Sequence, residues 1–274
     1  MNLKQTRWCG LVLAAAVFAA ADAPPAPTTK PAGWEAADQP LVRLDPKTKA
    51  PSTGWMKHHD GLVAQAKAGG VDLYFEGDSI TDFWTKQFNK RPVTGQAVWD
   101  KEFAGWHPGN FGISGDRTEH VLWRLDNGEL DGVKPKAVVL MIGTNNCKTN
   151  APEETAAGIA AIVNEFKQKE PQAKILLLAI FPRGAKPDDK LRQVNDQVNA
   201  IISKEDFGPQ VKYLDIGPKF LEADGTLTKE IMPDLLHPSE KGYQIWADAI
   251  TPVLTEWLGP PEASAVPAAT APAQ

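Results

Sequence analysis

The sequence has 274 residues, 42% hydrophobic, 23% charged and 8% aromatic, a composition that excludes wholesale disorder, a collagen-like fibre and a disulfide-stapled miniprotein. A formal net charge of −5 offers no basic footprint for nucleic acid and no polybasic patch for a membrane surface. Two cysteines, Cys9 and Cys147, are too few for a disulfide framework.

The chain opens with Lys4 and Arg7, then an apolar run over residues 9–21 that ends in small residues. That run is too short to span a bilayer as a helix. A basic start, a short apolar stretch and small residues before a polar segment predict a signal peptide over residues 1–21, cleaved after Ala21 or Ala23, and hence export. The alternative is a frayed N-terminal helix. Arg7 and Trp8 stand where a lipoprotein anchor at Cys9 would need small residues. Cleavage would remove two cations and one thiol, leaving Cys147 alone and the mature chain without an internal disulfide. Residues 22–40 hold five prolines and read as an extended linker. One domain is expected over residues 41–258, followed by an Ala/Pro-rich disordered tail over 259–274.

Within the domain, apolar runs at residues 71–75, 137–142, 175–180 and 211–214 read as strands, with a weaker one around Gly109, Asn110 and Phe111. Most lack polar alternation, which predicts a parallel sheet covered on both faces. Helical stripes alternate with them over residues 118–125, 152–169, 188–204 and 239–258. Strand–helix alternation predicts a doubly wound, three-layer α/β/α sandwich. In such a fold, sites form beyond the carboxyl ends of the strands.

Four segments stand there. Glu76-Gly77-Asp78-Ser79-Ile80 follows the first strand, where a serine opening a helix meets unpaired backbone N–H groups; Gly77 is expected to permit a tight turn. Asp78 or Ser79 could equally be an ordinary N-cap. Residues 110–116, with Gly112 and Gly115, could present a backbone N–H to a ligand or simply turn the chain. Gly143-Thr144-Asn145-Asn146 follows the third strand; the Asn145 amide could donate to a developing oxyanion or close a turn. Asp234 precedes His237 by three residues and can reach its Nδ1, while Pro238 keeps His237 extended. Of the other histidines, His58 and His59 are expected to be solvent-exposed, and His107, before Pro108, has no acid at short spacing before it. His120, four residues after Asp116, is the rival base, expected as a surface pair. Ser114, in Gly-Ile-Ser-Gly, lacks the surroundings of a nucleophile elbow. The sequence contains no metal-ligand pattern and no phosphate loop.

Taken in order, Gly77-Asp78-Ser79, Gly115, Gly143-Thr144-Asn145 and Asp234-x-x-His237 resemble the four blocks of the SGNH (GDSL-type) hydrolases. The runs at residues 110–116, 120–130, 143–146, 181–184 and 191–199 are similar to the catalytic subunits of platelet-activating-factor acetylhydrolase Ib, except that Ser114 stands where those relatives carry glycine. The resemblance implies a flavodoxin-like sheet, with Ser79 as nucleophile, His237 as base and Asp234 as the orienting carboxylate. It also implies an oxyanion hole made of the Ser79 and Gly115 N–H groups and the Asn145 amide. Ile80, Thr144 and Leu236 would line a small acyl pocket, and Asp78 would order the turn. The related subunits pair as dimers, which implies a homodimer here.

The expectation is therefore an exported, cofactor-free serine esterase for short acyl groups, acetyl foremost, on a small acylated carbohydrate or lipid. The alternatives are a longer-chain lipase or lysophospholipase, and a non-catalytic module that binds acylated glycans or lipids.

Overall fold

Strands buried on both faces need helices above and below them, and the chain supplies both layers. The computed structural model describes residues 36–85 and 95–262. The expected signal peptide, and most of the proline-rich segment and of the tail, lie outside the described residues. Five strands, β1 (Leu73–Gly77), β2 (Pro108–Asn110), β3 (Ala137–Met141), β4 (Lys174–Leu178) and β5 (Val211–Leu214), pair in parallel in the order β2-β1-β3-β4-β5. This is the doubly wound order expected of a flavodoxin-like sheet.

Period-two alternation sends neighbouring side chains to opposite faces. Tyr74, Val138, Leu140, Ile175 and Leu177 pack with helices α1 (Thr53–Ala68), α4 (Thr118–Asp126), α5 (Pro152–Lys169) and α6 (Lys190–Ile202). Phe75, Val139, Met141, Leu176 and Leu178 face α3 (Gln96–Glu102) and α7 (Glu240–Leu258), where Trp84, Trp99, Tyr243 and Trp246 form an aromatic core. Both layers are continuous with the sheet. At the ends of the described chain, Thr118 Oγ1 donates to the Ala37 carbonyl at 2.8 Å, and the Glu262 N–H donates to the Gly105 carbonyl at 2.9 Å.

The bounds of β1 and β4 depart most from expectation, for identifiable reasons. β1 begins at Leu73 and runs through Glu76 and Gly77, which pair with Leu140 and Met141 of β3. Glu76 reads as a turn residue, but a buried arginine, Arg124 of α4, donates to it at 2.6 Å and lets it remain in the sheet. β4 stops at Leu178 because the Asn199 side chain accepts from the Ile180 N–H and donates to the Ile180 carbonyl, at 2.8 and 2.9 Å. A side-chain amide thus replaces the next rung of the ladder.

The strand order reverses around β1. The chain leaves it for β2 on one side and later returns as β3 on the other, so the carboxyl ends of β1 and β3 flank the crevice. The chain after β1 opens α2 (Ser79–Asp82), and the chain after β3 carries Thr144, Asn145 and Asn146.

Candidate active site

Gly77 serves the site by closeness rather than by a left-handed turn. A β-carbon there would collide with the Thr81 side chain and the Met141 carbonyl, so only glycine lets α2 start directly on the end of β1. Asp78 caps that short helix, its Oδ1 accepting from the Ile80 N–H at 3.0 Å. Ser79 is the first helical residue. Its Oγ lies 2.8 Å from His237 Nε2, and His237 Nδ1 lies 2.6 Å from Asp234 Oδ2.

The Asp234 loop is organised around one carboxylate. Asp234 Oδ1 accepts from the backbone N–H groups of Leu236 and His237, at 3.1 and 2.8 Å. Leu235 adopts φ 61°, a strained left-handed conformation for a branched residue that folds the chain back. Partial burial works against the Asp234 carboxylate, but the His237 backbone and ring and the Leu236 N–H together hold its pKa below the ordinary value. An ionised Asp234 can only accept, so His237 Nδ1 donates to it, and in the neutral ring Nε2 is the acceptor that faces the Ser79 hydroxyl. The ring also packs on Phe83, with centroids 4.9 Å apart.

Across the crevice, Asn145 Nδ2 donates to the Asp116 carbonyl at 2.9 Å. Its second amide hydrogen has only a long 3.5 Å approach to Asp78 Oδ2, and so is available to a stronger acceptor. Burial pushes Asp78 up to about 7. Gly115 sits in the turn just before Asp116 with φ 83°. Of the expected pocket residues, Ile80 and Thr144 are buried and Leu236 is half-buried. The Thr144 hydroxyl is occupied, accepting from Arg183 at 3.1 Å and from Asn195 at 3.2 Å.

Two expectations are corrected. His59 is buried and stacks on Trp55, and burial holds the half-buried His58 down to about 4; neither is the solvent-exposed residue their polar helix suggested. His120 is likewise no surface partner of Asp116. It is buried, its Nδ1 accepts the Arg117 N–H at 3.2 Å to cap α4, and burial with nearby arginines lowers its pKa to about 2. Ser114 is bound elsewhere, its Oγ donating to Asp82 Oδ2 at 2.5 Å.

Beneath the site lies a group that the sequence reading missed. Fully buried Arg124 donates to Glu76, Asp116 and Glu129, and to the Phe111 carbonyl at 2.9 Å. Trp55 Nε1 adds a 2.7 Å bond to Asp116. The available signal was an arginine on the apolar stripe that carries Val121 and Leu125, since a charge there requires partners. Burial pushes Glu76 up to about 7 against the pull of Arg124, and Glu129 also rises. For Glu76 the folded pKa therefore exceeds the unfolded value of about 4.3. Its stabilising contribution is complete below that unfolded value and is lost as pH rises through about 7. Glu76→Gln should therefore flatten part of the fall in melting temperature between about pH 4.5 and about pH 7. An unchanged slope in the variant would remove Glu76 as its source.

A doubly wound parallel sheet with a histidine-bonded serine at its switch point is an arrangement suited to acyl-ester hydrolysis. The chain belongs to the GDSL-like lipase/acylhydrolase family, whose description matches residues 75–245, and it is a carboxylic ester hydrolase. It is 37% identical over 216 residues to the human platelet-activating factor acetylhydrolase IB subunit alpha1, covering 78% of this chain and 88% of that one. To the mouse alpha2 subunit it is 41% identical over 190 residues, covering 69% and 78%. Among solved structures, an acetyl xylan esterase from Geobacillus stearothermophilus shares the fold at 23% identity and TM-score 0.55, over 72% of this chain and 98% of the other. A GDSL-like lipase from Bacteroides thetaiotaomicron does so at 19% identity and TM-score 0.56, over 74% and 97%.

Proposed function

We propose that the protein is an exported serine esterase that removes acetyl and other short acyl groups through an acyl-enzyme. The observation that carries this reading is the unbroken relay from Ser79 Oγ through His237 to Asp234, at 2.8 and 2.6 Å. Ser79 Oγ attacks the ester carbonyl while His237 Nε2 takes its proton. Asp234 holds the Nδ1–H and supports the imidazolium. The carbonyl oxygen becomes an oxyanion facing the N–H groups of Ser79 and Gly115 and the Asn145 amide. Collapse expels the alcohol with the proton from His237, and water then repeats the sequence on the acyl-enzyme. Export rests on the N-terminal pattern of residues 1–21. Acetyl preference is supported by the names of the acetylhydrolase relatives and by the bulk of Ile80 and Leu236 beside the catalytic residues.

Acyl-chain length provides the test. In a shallow pocket, each forced methylene costs about 1–3 kcal/mol through overpacking. A deep lipase pocket instead gains about 0.8 kcal/mol per buried methylene. On p-nitrophenyl esters, log(kcat/KM) should fall from acetyl to butyryl and approach zero activity at octanoyl. A rising slope would replace the acetylesterase reading with a lipase.

A further inference from the structure

Arg43 belongs to the segment before α1, outside the span matched by the family description. The segment is firmly tied to the domain. The Leu41 N–H donates to the Glu119 carbonyl at 2.9 Å, the Ser52 N–H donates to the Arg43 carbonyl at 2.8 Å, and Leu44 bridges Pro51. It delivers the Arg43 guanidinium to the turn that contains Gly115. There, Arg43 Nη1 donates to the Ser114 carbonyl at 2.6 Å. A β-carbon on Gly115 would lie 2.8 Å from Arg43 Nη2, so the guanidinium covers the outer side of that residue.

The Ser114 carbonyl and the Gly115 N–H belong to one planar peptide, which is trans. In a trans peptide these two groups point in opposite directions. Anchoring the carbonyl on Arg43 therefore aims the Gly115 N–H the other way. The remaining freedom of Ser114 is removed by Asp82, whose Oδ2 accepts both the Ser114 N–H at 3.0 Å and its hydroxyl at 2.5 Å. A positive charge on the carbonyl also polarises the peptide and makes its N–H a stronger donor. The Arg43 side chain is about one-third exposed and lies 3.8 Å from Asp116 Oδ1. Asp116 is already bonded by Arg124 and Trp55, so the carboxylate does not need Arg43 as its sole partner.

We propose that Arg43 is a positioning residue for the oxyanion hole, acting through the Ser114–Gly115 peptide. This inference rests on the serine-esterase reading, in which the Gly115 N–H meets the oxyanion. An arginine that aligns a donor should matter less than a donor itself, whose loss costs about 10²–10³ in turnover. Arg43→Met should lower kcat on the order of 10–10² while KM stays nearly constant, because the alignment is used as negative charge develops. Arg43→Lys should restore most of the loss, since one charged donor to the Ser114 carbonyl is what the geometry uses.

The test measures kcat, KM and melting temperature on p-nitrophenyl acetate for both variants, with Ser79→Ala in parallel. Affinity for methylboronic acid, which forms a tetrahedral anion on a serine, should weaken in step with kcat in Arg43→Met and recover in Arg43→Lys. Unchanged kcat in Arg43→Met would overturn the proposal. So would a raised KM at constant kcat, which would make Arg43 a substrate contact. A loss that Arg43→Lys fails to relieve, with the melting temperature lowered equally in both, would reduce Arg43 to a structural tie. An active Ser79→Ala would instead overturn the underlying serine mechanism, a result separate from all of these.

Discussion

Ser79→Ala is expected to lower turnover on the order of 10⁴–10⁶ while the melting temperature changes little, and His237→Ala should do nearly the same. The 2.8 Å contact between Ser79 Oγ and His237 Nε2 makes the two a single unit. In the proposed mechanism, loss of the hydroxyl removes the acyl-enzyme and loss of the imidazole leaves the hydroxyl its proton. The double variant should consequently lose little beyond either single one, as interdependent groups do. His120→Ala and Ser114→Ala are the controls for the rival base and the second serine. His120 caps α4 through the Arg117 N–H, and Ser114→Ala keeps its backbone bonds to Arg43 and Asp82, so both should show only mild losses of turnover. Steady-state kinetics on p-nitrophenyl acetate decides the matter. A dead His120 or Ser114 variant beside an active Ser79→Ala would reassign the chemistry.

The parts legible in the sequence are those set by local chemistry. Unbroken apolar runs mark the buried strands β1, β3 and β4, while the short 211–214 run and the helical stripes mark β5 and α5 at their observed bounds and carry α7 up to Leu258. Asp234 and His237 could be paired because three residues of loop leave a carboxylate within reach of a ring. What was not legible depends on partners distant in sequence. Glu76 looks like a turn residue until Arg124, 48 positions away, is placed against it. His59 sits on a polar stretch, yet Trp55 and Trp123 enclose its ring. Asp116 and His120 have the spacing of a surface pair, but the turn before α4 sends the carboxylate inward to Arg124 and leaves the imidazole to cap the helix. Asn199 cuts β4 short from another helix, 19 residues on. Arg183 and Asn195 stand within runs that already resembled the acetylhydrolases. Only the fold gives them a task, holding the Thr144 hydroxyl beside Asn145.

Asn145→Ala should cost about 10²–10³ in kcat, the usual loss for a single oxyanion donor. The amide is held by its 2.9 Å bond to the Asp116 carbonyl, and Asp116 is in turn fixed by buried Arg124. One hydrogen is thereby committed to orientation, and in the proposed mechanism the other, held only by the long approach to Asp78 Oδ2, meets the oxyanion without reorganisation. A neutral ester carbonyl attracts that hydrogen weakly, whereas the tetrahedral oxyanion attracts it strongly. The loss should therefore fall on kcat, with KM little changed. Asn145→Asp sharpens the test. It would set a carboxylate where the amide approaches Asp78 Oδ2 at 3.5 Å, facing both the Asp116 carbonyl and the developing negative charge. Repulsion from an acceptor-only side chain should make it slower than Asn145→Ala, although it is closer in shape to the native residue. If Asn145→Ala raised KM with kcat intact, or if Asn145→Asp outpaced it, the amide would be a ground-state contact and the oxyanion would depend on the backbone N–H groups of Ser79 and Gly115 alone.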